Sequence, residues 1–348
     1  MRFSAIARFA LPIVIIAALV YWIPAEHKRQ LWEQPKRYPW IGFALLTAII
    51  ALAISFARWC VLVRAMGIRL SMVEAFRLSS IGFMLSLVSA GAVGGDLFKG
   101  IFLAKRRPGR RFEAFSSIFV DRGCGLLGLC LLAAAGLCLI DVDATGASST
   151  DGSEGIAVSI TAIRTTVVTL VAIGVAVLAV LLVGGRWVDA SLGRLETVAV
   201  VGGLVSRIAR PIRAFCDRPF AIVVGIAMSV LVQGLFAISF YGIAVGLYRD
   251  VPTMAEHLVV VPTAMLISTL PLTPGGVGLL EAAMVAMYAP FTDEPEIKGF
   301  AVALVFEVVK LVMAVIGVLF YWTAPDEVRT SLDVANEEES TPETQAAA

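Results

Sequence analysis

The stretch "SLVSAGAVGGDLFKG" (Ser86–Gly100) interrupts an apolar segment with a glycine pair, and Asp96 and Lys99 follow directly. In a soluble protein, such a stretch is either a turn or a loop that grips a phosphate. In a membrane protein, broken backbone at this depth is tolerated only where it is buried in protein or lines a wet cavity. Its meaning therefore depends on whether water or lipid surrounds the chain.

The composition is that of an integral membrane protein. Of the 348 residues, 59% are hydrophobic and 16% are charged, with a mean hydropathy of +0.88, whereas soluble domains carry about 25% charged residues. The five cysteines form no CxxC pair, so neither a disulfide framework nor a zinc site is supported. The two histidines lie far apart, and we expect no metal site and no cofactor.

A spanning helix needs ~20 mostly apolar residues, and six segments of the chain reach this length or come close to it. The first resembles a signal peptide, but its exit "YWIPAEHK" lacks a clean small-x-small cleavage site, which favours a retained helix. The six predicted spans are Ile6–Ile23, Trp40–Val63, Ala114–Ile140, Thr165–Val183, Phe220–Leu247 and Phe300–Trp322.

Basic residues orient these spans. The runs Lys105–Arg111 and Arg186–Arg218 are expected on the cytoplasmic side, whereas the acidic loop Asp141–Gly155 suits the outside. We therefore expect a multi-pass protein of the inner or plasma membrane with both termini in the cytoplasm. The cluster Lys28, Arg29, Lys36 and Arg37 conflicts with this orientation and leaves the first helix open. The basic runs also suit contact with anionic lipid, and we expect no nucleic-acid partner.

Two further apolar stretches are too short to span singly, and each predicts a helical hairpin that returns to the side it entered. The first consists of Phe76–Ala90 and Leu97–Ala104, and the second of Leu258–Leu270 and Val277–Pro290. Glycines and prolines at the tips break the helices. We expect Asp96 to cap the returning limb of the first hairpin, and Thr273, with Pro274 at the first helical position, to cap that of the second.

The two hairpins look like copies of each other. "SMVE" (Ser71–Glu74) and "TMAE" (Thr253–Glu256) both have the capping-box pattern, 182 positions apart (253 − 71). At the same offset, Gly94 corresponds to Gly276 and Lys99 corresponds to Glu281. The first copy starts inside and the second outside, which predicts an inverted repeat like those of secondary transporters. A duplicated scaffold without transport remains the alternative.

The predicted fold is therefore an all-α integral membrane protein of about six spanning helices and two re-entrant hairpins. Its membrane domain covers residues 1–325, with repeats at about 1–140 and 164–325. The acidic tail, residues 326–348, is expected to be disordered.

Charged side chains inside spans cost roughly 2.5–3.5 kcal/mol each, so they need a partner or a purpose. Adjacent residues such as Asp121 and Arg122 do not share a helix face and are expected to reach different partners. Glu307 and Lys310 are spaced to pair on one face. We assign Asp121, Glu307 and Lys310 to buried polar support and Arg122 to a headgroup site. Structural salt bridges are the alternative for these pairs, and a local pair without function is the alternative for Asp96 and Lys99.

Other chemistry finds little support. "GAVGGDLFKG" lacks the GxxxxGK[ST] spacing of a P-loop, and nothing favours either histidine as part of a Ser–His–Asp triad. The helix N-termini at the hairpin tips do present free backbone N–H groups that can bind phosphate. Lys99 adds a full positive charge to these groups.

The motifs "SAGAVGGDLFKG", "DRGCGLLGL" and "LPLTPGGVGLLEA" resemble the lysylphosphatidylglycerol synthase transmembrane region, a flippase-like family, from about Trp40 to Trp322. The resemblance implies a membrane domain that handles lipids with charged headgroups. It also implies a site at the positions that match the family motifs. Together with Lys99 and Thr273 at the hairpin tips, the candidate headgroup-binding residues are Gly94, Gly95, Asp96, Lys99, Arg122, Thr273, Gly275, Gly276 and Glu281.

These observations lead to an expected function with open alternatives. We expect a protein that binds or translocates a lipid with an anionic or polyprenyl-phosphate-type headgroup, and no catalytic residue of its own. Full-length relatives add a cytoplasmic aminoacyl-transferase domain, for which we expect no room in this chain. The alternatives are a membrane subunit of a lipid-modifying enzyme and a scaffold for lipid or glycan synthesis. Partners other than the lipid, either a second copy or a lipid-synthesis enzyme, are left open.

Overall fold

The computed structural model describes residues 21, 35–87, 93–106, 108–140, 160–183, 213–270, 272–273 and 275–322. Within these ranges the chain forms helices joined by turns, with no strand, which confirms the predicted all-α class. The principal helices are α1 (Tyr38–Ala65), α2 (Met72–Ser86), α3 (Val93–Arg106), α4 (Arg111–Leu139), α5 (Ile160–Val183), α6 (Pro219–Leu247), α7 (Met254–Ser268), α8 (Leu279–Tyr288) and α9 (Pro295–Trp322).

Four of these helices, α1, α4, α6 and α9, are long and apolar enough to cross a membrane. They coincide with four of the predicted spans to within a few residues at each end. The predicted span Thr165–Val183 is the larger part of α5, whose described side chains are mostly exposed and apolar. The described chain is thus a multi-pass membrane protein. Three predicted features lie outside the described residues: the first span except for Tyr21, the loop Asp141–Gly155, and the acidic tail.

The two predicted hairpins are the helix pairs α2–α3 and α7–α8, and both begin at the expected caps. The Ser71 hydroxyl accepts a hydrogen bond from the Glu74 backbone N–H at 3.1 Å. Thr253 and Glu256 form the complete capping box, each side chain accepting from the backbone N–H of the other. Local hydrogen bonding alone therefore explains where the first limbs begin.

Each hairpin leaves the bundle at the end where it entered. In the first, Glu74 at the start of α2 pairs with Arg106 at the end of α3. In the second, the ring Nε2 of His257 near the start of α7 lies 2.7 Å from the hydroxyl of Tyr288, the last residue of α8. Both hairpins therefore dip into the bundle without crossing it.

The helices repeat at the offset seen in the capping patterns. α7 has the bounds of α2 displaced by 182 residues, from 72 to 254 and from 86 to 268. The equivalent long helices α1 and α6 run antiparallel. The Arg37 backbone N–H donates to the Gly246 carbonyl at 2.9 Å, joining the start of α1 to the end of α6. At the other end of the pair, the Arg218 guanidinium donates to the Arg64 carbonyl at 3.1 Å. The second repeat is therefore inverted relative to the first.

A glycine on the last long helix of each repeat packs against the hairpin of the other repeat. Gly317 of α9 lies so close to the Ser80 backbone of α2 that a Cβ there would clash with the Ser80 carbonyl oxygen. Gly136 of α4 takes the corresponding place against α7, where a Cβ would lie 2.8 Å from the Leu258 carbonyl carbon. Such small residues let helices approach closely in a membrane, where packing contacts replace the hydrophobic effect. Each hairpin is thus held by a long helix of the opposite repeat.

Candidate functional site

The tips of the two hairpins meet inside the bundle and border a cavity of about 550 Å³. A Cβ at Gly275, in the tip of the second hairpin, would lie 3.2 Å from the Leu87 Cα in the tip of the first. Gly275 and Gly276 both have positive φ, of 62° and 78°, so the tip takes a path that other residues adopt only with strain. Helices α1, α4, α6 and α9 supply the remaining walls. The cavity therefore lies where the two repeats meet.

Asp96 pairs with two basic side chains at the edge of this cavity. Its carboxylate accepts from the Lys99 ammonium at 2.9 Å and from the Arg122 guanidinium Nε at 2.5 Å. The Lys99 ammonium also lies 5.2 Å from the ring centroid of Trp59, within cation–π range. Asp96 stands in the first turn of α3 and not before it, so its predicted role as the N-cap is wrong. It instead ties α3 to α4.

A second ion pair, between Arg58 and Asp121, joins α1 to α4 beside the same cavity. Arg58, 5% exposed, donates from Nε to the Asp121 carboxylate at 2.8 Å and from Nη1 to the Ser229 hydroxyl of α6 at 2.7 Å. Asp121 and Arg122 thus reach different partners, which confirms the prediction from their adjacent positions. Arg58 is not among the predicted site residues, although an arginine inside the apolar segment Trp40–Val63 is a signal for a buried polar site.

The third cluster lies beside the tip of the second hairpin. Lys310 pairs with Glu307 one turn earlier on α9 at 2.6 Å, as predicted, and donates to the Gly275 carbonyl at 3.1 Å. Glu281, 1% exposed, accepts from the Gly278 backbone N–H at 2.6 Å and so caps α8 from within. α8 begins at Leu279 with Gly278 as its N-cap, so the predicted cap at Thr273 is wrong.

The structure brings most of the predicted site residues together. Gly94, Thr273, Glu281 and Glu307 are not among the residues that line the cavity, and Pro274 lies outside the described residues. The predicted residues that do line it are Gly95, Asp96, Lys99, Asp121, Arg122, Gly275, Gly276 and Lys310.

The charges that line the cavity do not balance. Arg58 is balanced by Asp121 and Lys310 by Glu307. Asp96 alone faces both Lys99 and Arg122, which leaves one positive charge in excess at the cavity. Arg122 is the most accessible member of the Asp96 cluster, with 46% of its side chain exposed. This balance favours an anionic ligand.

The rest of the lining suits a molecule with an apolar part. Leucines, methionines and one valine share the wall with the aromatic rings of Phe56, Phe83, Phe236 and Phe306. Three lining side chains also carry a buried polar atom without a hydrogen-bond partner among the described residues: Trp59 Nε1, Ser79 Oγ and Gln233 Oε1. Apolar walls with a few convergent polar groups are typical of ligand sites.

The comparison with protein families agrees with the motifs of the sequence. The family model of the lysylphosphatidylglycerol synthase TM region matches residues 9–317. Among curated proteins, none matches the chain.

Proposed function

The chain belongs to the family of lysylphosphatidylglycerol synthase TM regions, and from this premise we propose that it carries a lipid across the membrane. The lipid has an anionic or polyprenyl-phosphate-type headgroup, and the headgroup binds in the cavity between the hairpin tips. The observation that carries this proposal is the excess positive charge of the Asp96, Lys99 and Arg122 cluster at the edge of a cavity with largely apolar walls.

The cations of the cavity suit a phosphate in particular. Charge-assisted hydrogen bonds from arginine or lysine to phosphate are about twice as strong as neutral ones. Arg122 engages Asp96 through Nε, and more than a third of its side chain is exposed. The phosphate therefore binds beside Asp96, while the acyl or prenyl chains follow the apolar wall toward the lipid.

The inverted hairpins suit movement between two leaflets. They enter from opposite ends of the bundle, and their tips meet at the cavity. In transporters with inverted repeats, the substrate lies near the midplane, and each repeat opens toward one side in turn. The same exchange here presents the headgroup first to one leaflet and then to the other.

We place the protein in the inner or plasma membrane, with its arginine-rich end in the cytoplasm. At this end Arg110 donates to the carbonyls of Met66 and Gly67, and Arg64, Arg69 and Arg218 are exposed. The opposite end carries Asp250, Asp293 and Glu294 beside its cations. Positive charge concentrates on the cytoplasmic side of membrane proteins.

Cysteine labelling tests this orientation. In a background without the native cysteines, we expect Gly109→Cys to react with a membrane-impermeant maleimide only in inside-out vesicles, and Asp293→Cys only in right-side-out cells. Both positions are exposed, and a Cβ at Gly109 has open space around it. Labelling of both positions from the same side would contradict the inverted arrangement.

Reconstitution tests the transport proposal. In vesicles that contain the protein, we expect a fluorescent phosphatidylglycerol in the inner leaflet to become accessible to an external quencher faster than in protein-free vesicles. A phosphatidylcholine with the same label is the matched control, and we expect its rate to stay near the protein-free rate, because its headgroup carries no net negative charge.

The lipid recovered from the same vesicles separates the alternatives. Unchanged phosphatidylglycerol that has moved supports translocation, whereas a covalently altered lipid indicates the lipid-modifying enzyme. Equal rates with and without protein, for phosphatidylglycerol and for a polyprenyl phosphate, would leave the scaffold as the better description.

A further inference from the structure

Two buried glutamates beside the cavity have no evident role in holding a headgroup. Glu281 and Glu307 are each 1% exposed, one on α8 and the other on α9. One carboxyl oxygen of Glu281 accepts from the Gly278 N–H, but the other, Oε1, is buried without a partner among the described residues. Burial of an ionised carboxylate without full compensation is costly, and such groups tend to become neutral instead.

The two glutamates share one cation. Glu307 contacts the Lys310 ammonium at 2.6 Å, and Glu281 lies close enough to interact electrostatically with both Glu307 and Lys310. With all three groups ionised, the cluster holds one uncompensated negative charge. A single proton on either carboxyl group makes it neutral, and coupled carboxyl groups of this kind take up protons as a pair.

Charged groups on the other packed helices have partners of their own or lie away from this cluster. Arg58 of α1 pairs with Asp121, and α6 carries no charged side chain between Pro219 and Leu247. On α7, His257 bonds Tyr288 at the far end of the second hairpin, where Glu256 completes the capping box. On α2, the charged residues Glu74 and Arg77 lie in the first two turns, away from the tip.

Lys310 connects this cluster to the cavity. It lines the cavity, and its ammonium donates to the Gly275 carbonyl at the hairpin tip. An anionic headgroup in the cavity competes with Glu307 for this ammonium. When the headgroup draws Lys310 toward itself, the carboxylate that Lys310 had balanced loses its counter-charge.

We propose that binding of an anionic headgroup in the cavity is coupled to the uptake of one proton by the Glu281–Glu307 pair. The proton comes from the aqueous phase and forms the O–H bond of a carboxylic acid, and no other covalent bond changes. It returns to water when the headgroup leaves and Lys310 pairs again with Glu307. This inference rests on the proposed function and adds a coupling ion to it.

Calorimetry on the purified full chain tests the coupling. Titration with a short-chain phosphatidylglycerol, in two buffers that differ in ionisation enthalpy, measures the protons taken up per lipid bound. Near neutral pH we expect about one proton for the wild type, because the pair already holds one proton while Lys310 balances the other carboxylate, and the departure of Lys310 leaves that carboxylate to be protonated. We expect close to none for the double variant Glu281→Gln and Glu307→Gln, which still binds the lipid.

Glutamine keeps the cap of α8, because its amide oxygen accepts from the Gly278 N–H as the carboxylate does. Glu74→Gln is the matched control. Glu74 also stands at the third helical position behind a cap, but it pairs with Arg106 away from the cavity. We expect this variant to take up the wild-type number of protons.

Each outcome decides the proposal. Lipid binding without proton uptake by the wild type, or undiminished uptake by the double variant, would overturn the coupling while leaving the headgroup site intact. Absence of binding by the wild type to both phosphatidylglycerol and a short-chain polyprenyl phosphate would overturn the proposed function, and the coupling with it.

Discussion

Replacement of Arg58 by methionine is expected to lower the free energy of unfolding by about 3–5 kcal/mol, which is the usual cost of removing one partner of a buried ion pair. Arg58 bonds both Asp121 and Ser229, and it therefore holds α1, α4 and α6 together at one point. Its loss leaves the Asp121 carboxylate buried without its cation. Unfolding in mixed micelles, followed by circular dichroism, measures the change.

The double variant Arg58→Met with Asp121→Leu separates the ion pair from simple packing. Without either charge, nothing is left uncompensated, and we expect the double variant to be more stable than Arg58→Met alone. Additive losses in the two single variants would show that the pair contributes no coupling. Ser229→Ala is expected to cost less, about 1.5–3 kcal/mol, because it removes one hydrogen bond to a charged group.

Replacement of Arg122 by alanine is expected to slow lipid movement about 10- to 150-fold while the protein stays folded. The reason is the loss of one charge-assisted hydrogen bond to the headgroup, worth about 1.5–3 kcal/mol. The partly exposed position of Arg122 limits the cost to the fold. Quenching of labelled phosphatidylglycerol in vesicles gives the rate, and size-exclusion chromatography confirms the folded state.

Arg106→Ala is the matched control for Arg122→Ala. Arg106 is also an arginine paired with a carboxylate, that of Glu74, and its side chain is similarly exposed, 51% against 46% for Arg122. It stands at the end of the first hairpin and away from the cavity, so we expect a nearly unchanged rate. Wild-type rates for Arg122→Ala would exclude the cavity as the path of the headgroup.

The candidate site was only partly predictable. The pair Glu307–Lys310 was expected because it lies on a single helix face, and the structure confirms it. The caps predicted at Asp96 and Thr273 were wrong, because each was inferred from residue preference alone. In the structure, Asp96 lies inside α3, and the turn before α8 extends to Gly278. Headgroup contact by any of these residues stays a prediction.

The sequence alone determined the elements of this protein: its long apolar helices, its two hairpins and the offset that relates them. These features depend on apolar length, glycine position and hydrogen bonds at helix starts, all of which act between residues close in sequence. The capping patterns at Ser71 and Thr253 therefore located the limbs α2 and α7 correctly.

Only the tertiary structure decided which charges meet. Arg58 pairs with Asp121 across 63 positions and Arg122 with Asp96 across 26. The hairpin tips face each other because each hairpin packs on a long helix of the opposite repeat. In a membrane the cost of an unpaired charge forces such partners together, but helix packing chooses which of them come within reach. The cavity and its surplus of positive charge follow from that packing.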